Sequence, residues 1–202
     1  MLGIGIPYYK NSEECEIRFK KLMTTLYKQY PDRGYILVYE DGQKSEWLSN
    51  YNIGYGSSYI NRGVAYARNF ILDVLKYQVD YILFIDSDDM IDCDFIPKME
   101  EACRTGNYDM IISPFYMNGV EQHYITRSNV AGIALRVDFI KDLKFDEEYN
   151  ISEDSIFISE VYARNPRIGT IRSNYYYNYG ANPNSLMMKY ARSEIGLKKK
   201  ED

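Results

Sequence analysis

The sequence predicts an α/β fold: a doubly wound, mostly parallel sheet flanked by helices, with a less regular C-terminal part. Three observations predict it. Short apolar runs at residues 2–6, 35–39, 81–85 and 108–113 have almost no polar alternation, as expected of strands buried on both faces. Segments with apolar residues at helical spacing separate them, giving a β-α-β-α-β-α-β pattern through residue 113. Two of the runs finish in carboxylates, Glu40 and Asp41 in one case and Asp86, Asp88 and Asp89 in the other. Open α/β sheets bind ligands at the carboxyl ends of their strands, so these acids stand where a site is expected.

Taken in order, residues 2–6 form a first strand that Pro7 ends. Asn11 or Ser12 caps a helix with Glu13 and Glu14 in its first turn. Phe19, Leu22, Met23, Leu26, Tyr27 and Tyr30 share one face of that helix, and Pro31, Asp32, Arg33 and Gly34 end it. Residues 44–62, rich in Ser, Asn, Gly and Tyr, read as loop with a short strand near Ile53. Val64, Ala67, Arg68, Ile71, Leu72 and Leu75 mark a helix that begins near Gly63. Phe95, Ile96, Met99, Ala102 and Cys103 mark a third, ended around Gly106. Further on, residues 122–126, 132–136, 168–171 and 175–179 read as strands and 137–143 as a short helix. Residues 153–163 form a better helix with Ser152 as its candidate cap, and 197–202 read as a solvated or frayed end.

A chain of 202 residues with 46% apolar and 26% charged content supports one buried core. The net charge of -5 argues against a dedicated nucleic-acid binder. Cys15, Cys93 and Cys103 form no CxxC pair and leave an odd thiol, which fits a reduced, intracellular setting. The N-terminus lacks a basic region and reaches Pro7 early, unlike a signal peptide. No apolar run approaches the roughly 18 residues needed to span a bilayer. A cytoplasmic protein is expected.

Asp86, Asp88 and Asp89 follow directly on a buried run, and three such charges repel one another unless a cation neutralises them. An all-oxygen ligand set favours Mg2+ or Mn2+ over Zn2+. An EF-hand loop is excluded, because Met90 stands at the fifth position and Ile91 at the sixth. The acids therefore point to a phosphorylated substrate handled through a metal.

The ordered motifs Pro7-Tyr8-Tyr9, Glu40-Asp41-Gly42, Asn61 to Asn69, Asp86-Ser87-Asp88-Asp89 and Ser152-Glu153-Asp154 resemble those of family 2 glycosyltransferases with the GT-A fold. Each is weak alone; their order and spacing, from residue 1 to about 190, make the resemblance specific. It implies one GT-A domain over 1–202, with a nucleotide-binding half at 1–113, an acceptor-side half at 114–190 and a tail at 191–202. It also implies transfer of a sugar from a nucleotide-diphosphate donor, a UDP-sugar, to an acceptor hydroxyl with inversion, as in hexosyl- or N-acetylhexosaminyl-transferases. The acceptor class stays open between a glycan, a lipid-linked sugar, a protein and a modified base.

Residue by residue, the family's DxD falls on Asp86, Ser87 and Asp88. Asp88 is the implied metal ligand, with Asp86 and Asp89 as further metal-side acids and Mn2+ or Mg2+ as the cofactor. Pro7 and Tyr9 match the turn whose tyrosine stacks on the base, although Lys10 replaces the usual Asn. Glu40 and Asp41 match an acid pair whose first member reads the uracil, and Glu40 is longer than the family's Asp. Asn61, Gly63, Arg68 and Asn69 match a helix-start pattern; Arg68 either braces the acids or meets the nucleotide, and its place on the apolar helical face makes a structural ion pair the alternative to ligand contact. Glu153 and Asp154 match the catalytic pair, with Asp154 as general base and Glu153 orienting it or the acceptor. Acids at a helix start are also favoured without any chemistry. Ser185 keeps the family's serine in a loop over the diphosphate, whereas Asn178 stands where Arg is common. His123, the sole histidine, reads as a loop or acceptor-side residue. Trp47 reads as a packing anchor, with nucleotide or acceptor contact as the alternative.

Two other functions compete. Asp86 to Met90 resembles the first motif of haloacid dehalogenase-type phosphatases, but Met90 and the long preceding segment depart from it. Release of phosphate from simple monoesters would mark that class. A nucleotide-sugar binding module without transfer activity is the other, although the carboxylates for metal and base are present.

Overall fold

The computed structural model describes residues 1–30, 35–117, 120–122, 127–177 and 186–198. The predicted helix end at Pro31–Gly34, most of the predicted strand at 122–126, and His123, Asn178 and Ser185 lie outside them. In order, the elements are β1 (Leu2–Tyr8), α1 (Glu13–Gln29), β2 (Ile36–Asp41), a 3-10 turn (Glu46–Asn50), β3 (Gly54–Ser58), α2 (Val64–Leu75) and β4 (Tyr81–Phe84). Then come β5 (Met90–Ile91), α3 (Phe95–Thr105), β6 (Met110–Ile112), β7 (Phe115–Met117), β8 (Val120–Gln122), β9 (Ala134–Arg136) and α4 (Val137–Ile140). The chain closes with α5 (Glu153–Ala163), β10 (Ile168–Thr170), β11 (Tyr175–Tyr177) and α6 (Leu186–Ala191).

The central sheet has seven strands in the order β10-β6-β9-β4-β1-β2-β3. β1 pairs in parallel with β2 and β4, and β2 with β3. This is the predicted GT-A-type α/β fold, with one feature that the apolar pattern does not carry. β9 is antiparallel to both β4 and β6, between which it lies. A second sheet, β5-β11-β7-β8, stands beside the first.

Pro7 does not end the first strand. The carbonyl of Gly5 faces β4, accepting from Ile85 N at 3.0 Å, while Ile4 N donates toward β2 through Tyr35 O at 2.8 Å. By alternation Pro7 also faces the β4 side, but β4 has stopped at Phe84, so the missing N–H costs the ladder nothing.

The core has two layers. Leu2, Ile4, Ile6 and Tyr8 face α1, α3 and the small sheet. On the other face α2 lies directly on β1: a Cβ on Gly5 would fall 2.4 Å from Ile71 Cγ2. Trp47 packs edge-on to Phe19 at 5.3 Å and anchors the 3-10 turn to the core. Leu197 and Lys198 are not a frayed end: Asn150 N donates to Leu197 O at 2.9 Å, and Tyr149 bridges Lys198. Ser152 precedes α5 but does not cap it; its φ of 69° is left-handed and its side chain makes no capping bond.

Candidate active site

A cleft of about 760 Å³ opens over the carboxyl ends of β1, β2 and β4. Of the residues that the sequence singled out, Pro7, Tyr9, Asp41, Asn61, Gly63 and Arg68 line it. So do Asp86, Ser87, Asp88, Asp89, Glu153 and Asp154. Residues brought together from positions 7 to 154 of the chain therefore share one cavity.

At one end the Tyr9 ring, 44% exposed, lies against Gly42: a Cβ there would meet ring carbon Cε2 at 3.1 Å. Asp41, at the end of β2, is almost wholly buried and accepts from Arg62 N at 2.9 Å and Gly63 N at 2.7 Å. Gly63 meets this carboxylate with φ +96°, a conformation that disfavours residues with a side chain. Asn61 Oδ1 accepts from the same N–H at 3.0 Å. Glu40 is not brought to the cleft. Neighbouring strand residues point to opposite faces, and the fully buried Glu40 carboxylate accepts from Ser45 N at 2.8 Å and the Tyr55 hydroxyl at 2.7 Å.

The centre is organised by Arg68, which is 3% exposed. Its Nη2 donates to Asp86 Oδ1 at 2.8 Å, and its Nη1 donates to Glu153 Oε1. Burial by itself would favour loss of the guanidinium proton, but Asp86, Glu153 and Asp154 outweigh it and keep the group firmly charged. The sequence left Arg68 open between bracing the acids and meeting the nucleotide; here it braces two acids that belong to different parts of the chain.

Asp88 and Asp154 stand differently. Burial, and then the neighbouring Asp86, push Asp88 up to about 6. Burial also raises Asp154, opposed by Arg68 and reinforced by Asp86. Glu153 is raised by burial as well, against the pull of Arg68. Asp154 Oδ1 accepts from Ser155 N at 2.8 Å, which fixes the carboxylate at the first turn of α5.

The residues present suit a hard divalent cation, but not as a closed protein cage. Among the described residues no group of three or more His, Cys, Asp or Glu is arranged to hold a metal. Asp86 is engaged by Arg68, and Asp89 Oδ2 accepts from the buried Tyr175 hydroxyl at 2.5 Å. What remains is the arrangement in which Mg2+ or Mn2+ is held by one or two carboxylates and completed by substrate phosphates. Asp88, ionised in a place where burial disfavours its charge, fits as that carboxylate.

Comparison with known proteins decides the family. The model of "Glycosyl transferase family 2" matches residues 4–184. The chain belongs to that family. A comparison with curated proteins found no match. Solved structures similar to this family 2 domain include residues 1-349 of S. aureus TarS, at TM-score 0.72 and 22% identity, covering 88% of this chain and 60% of that one. The same part of TarS in complex with UDP aligns at TM-score 0.73 and 20% identity, covering 90% and 61%. In complex with UDP-GlcNAc it aligns at TM-score 0.73 and 20% identity, covering 88% and 58%. This chain thus spans about 60% of the length of those structures.

Three further residues of the domain, with no role at the site assigned from sequence, matter to it. Tyr175 OH accepts from Asp86 N at 3.2 Å while donating to Asp89, so one buried phenol ties both ends of the acid turn. Asn69 donates to Phe145 O at 2.9 Å and Glu147 Oε1 at 2.8 Å, and its Oδ1 accepts from Phe145 N at 2.8 Å. It pins α2 to the segment that leads to Glu153. The motif around Arg68 contained Asn69, but no sequence signal showed its partner. Lys189 of α6 adds a cation to the cleft lining, and nothing in its local sequence marks it.

Proposed function

We propose that this chain transfers a sugar from a UDP-sugar to an acceptor hydroxyl with inversion, assisted by a divalent metal. The observation that carries this reading is that Asp88 and Asp154 line one cleft, linked by Arg68 through Asp86 and Glu153. A diphosphate held at Asp88 and a nucleophile held at Asp154 would meet there. The neighbours that bind UDP and UDP-GlcNAc support the choice of donor. No helix among the described residues is long and apolar enough to cross a membrane.

Tyr9 stacks on the base and Asp41 keeps the Arg62–Gly63 turn in place beside it. Glu40 acts one step back, holding Ser45 and Tyr55 behind that end of the cleft. Asp88 holds Mn2+ or Mg2+; such an ion, when bound, supplies charge neutralisation for the diphosphate leaving group. Arg68 holds Asp86 in place through its ion pair and adds positive charge beside the leaving group. Asp154 takes the acceptor proton as its oxygen attacks the anomeric carbon from the face opposite the diphosphate, and the C1–O bond to the diphosphate breaks. A carboxylate raised by burial is a better base for that step than an exposed one. Glu153, locked to Arg68, keeps Asp154 at the start of α5.

Asp154→Asn tests the reading. General-base loss costs about 10²–10⁴-fold in kcat, and UDP affinity by calorimetry should stay within about twofold. Transfer at the wild-type rate would refute the base assignment. Inversion is tested separately, by proton NMR of the first-formed product.

A further inference from the structure

The inference rests on the function proposed above and concerns residues 127–131, which none of the motifs cover. This segment enters the cleft beside β4: Ala131 bridges Phe84, and Gly132 N donates to Phe84 O at 2.8 Å. It therefore runs alongside the chain just before that chain turns through Asp86 to Asp89. Arg127 anchors it. The Arg127 guanidinium is buried, lies 4.2 Å over the Phe115 ring, and donates through Nη2 to Ala131 O. Burial pushes Arg127 down only to about 10, so it is charged at neutral pH.

Two Arg127 donors converge on one atom. Nε and Nη2 lie 3.1 and 2.8 Å from Asn129 Oδ1. A guanidinium has donors and no acceptor. The amide therefore has one orientation, with its oxygen toward Arg127 and Nδ2 turned away. Asn129 is half-buried and lines the cleft. Nδ2 makes no hydrogen bond with a described residue and is not enclosed by the protein, so it faces the cleft open to a ligand.

We infer that Asn129 Nδ2 donates a hydrogen bond to an oxygen of the transferred sugar, and that Arg127 is its positioning residue. The reacting carbon lies between the diphosphate at Asp88 and the acceptor at Asp154, and residues 127–131 border that space next to the acid turn. A neutral N–H donor suits the hydroxyls and acyl carbonyl of a sugar, whereas phosphate recognition calls on charge. An Asn fixed by two charged donors presents one defined N–H toward the cleft, and a donor whose sugar does not meet it forfeits that hydrogen bond.

The test is calorimetry on the full chain with Mn2+, using UDP, UDP-glucose and UDP-GlcNAc, on wild type, Asn129→Ala, Asn129→Asp and Arg127→Lys. In both Asn129 variants UDP affinity should stay within about twofold, while sugar-nucleotide affinity falls about 3- to 10-fold. A fall with both donors assigns a ring hydroxyl; a fall with UDP-GlcNAc alone assigns the acyl carbonyl. Arg127→Lys, which keeps the charge but not the two-pronged grip, should lower the same sugar-to-UDP ratio. If that variant does not fold, the Asn129 pair decides. Sugar affinities unchanged from wild type, or UDP affinity lost as far as sugar affinity, would overturn the inference. Wild type that binds no UDP would instead defeat the proposed function on which it rests.

Discussion

The two walls of the cleft are built by different means. On the donor side, Pro7, Asp41 and Asp86 sit at or just past the ends of adjacent parallel strands, so the sheet itself spaces them. On the other side, Asn129, Glu153 and Asp154 belong to loops and a helix start whose positions depend on a few buried side chains. Arg68 and Asn69 reach across from α2, and Arg127 holds the rest. The donor wall is a product of backbone pairing, and the acceptor wall a product of side-chain hydrogen bonds. Single substitutions should therefore damage the second wall far more selectively than the first.

The largest effect is expected at Arg68, where the walls meet. Arg68→Met leaves the buried Glu153 and the half-buried Asp86 without their common partner, a loss of about 3–5 kcal/mol by the measure of other broken buried ion pairs. Urea denaturation checks it. A loss under about 1 kcal/mol would show that the acids find other partners and that the walls are not coupled through this residue. Asn69→Ala should cost less, about 1–3 kcal/mol, from the backbone and carboxylate partners it strands. Its signature is selective: kcat falls while UDP affinity is nearly kept, because the Phe145–Glu147 segment serves Asp154 and not the donor wall. Equal loss of both would erase the distinction between the walls.

A smaller effect marks the outer strands. Asp109 accepts from Arg167 N and Nε at 3.0 and 2.9 Å, with Arg136 beside it, and these partners hold its carboxyl below the ordinary range. A carboxylate with a folded pKa below its unfolded one adds stability that is complete above the unfolded value, about 3.9, and is lost as pH falls through the folded value. Asp109→Asn should thus lower the unfolding midpoint at pH 7, and the gap from wild type should close below about pH 4. A gap independent of pH would rule out the ion pair as its source.

The same contrast explains what was legible in the sequence. The donor wall is written locally: unbroken apolar runs give buried strands, and residues one or two positions past three of them, Pro7, Asp41 and Asp86, reach the cleft. Even there the pattern blurs by one position. Glu40 and Asp41 look alike in sequence, yet strand alternation sends one to the cleft and seals the other against Ser45 and Tyr55. The direction of β9 was not legible, since three residues, Ala134 to Arg136, fit either sense and only their partners in β4 and β6 decide it. The acceptor wall is written in pairs far apart, such as Asn69 with Phe145 and Arg68 with Glu153, and one sequence does not announce such pairs. Ser152 shows the reverse error: a capping residue type at the right place adopts a left-handed conformation and caps nothing.

The most direct test of the central claim, that this cleft holds a nucleoside diphosphate beside Asp88, is calorimetric titration with UDP, with and without Mn2+, on wild type and Asp88→Asn. The account predicts UDP binding that strengthens with Mn2+ in wild type and loses that dependence in the variant. Binding that ignores Mn2+ and is unchanged by Asp88→Asn, or no UDP binding by the folded wild type, would contradict it.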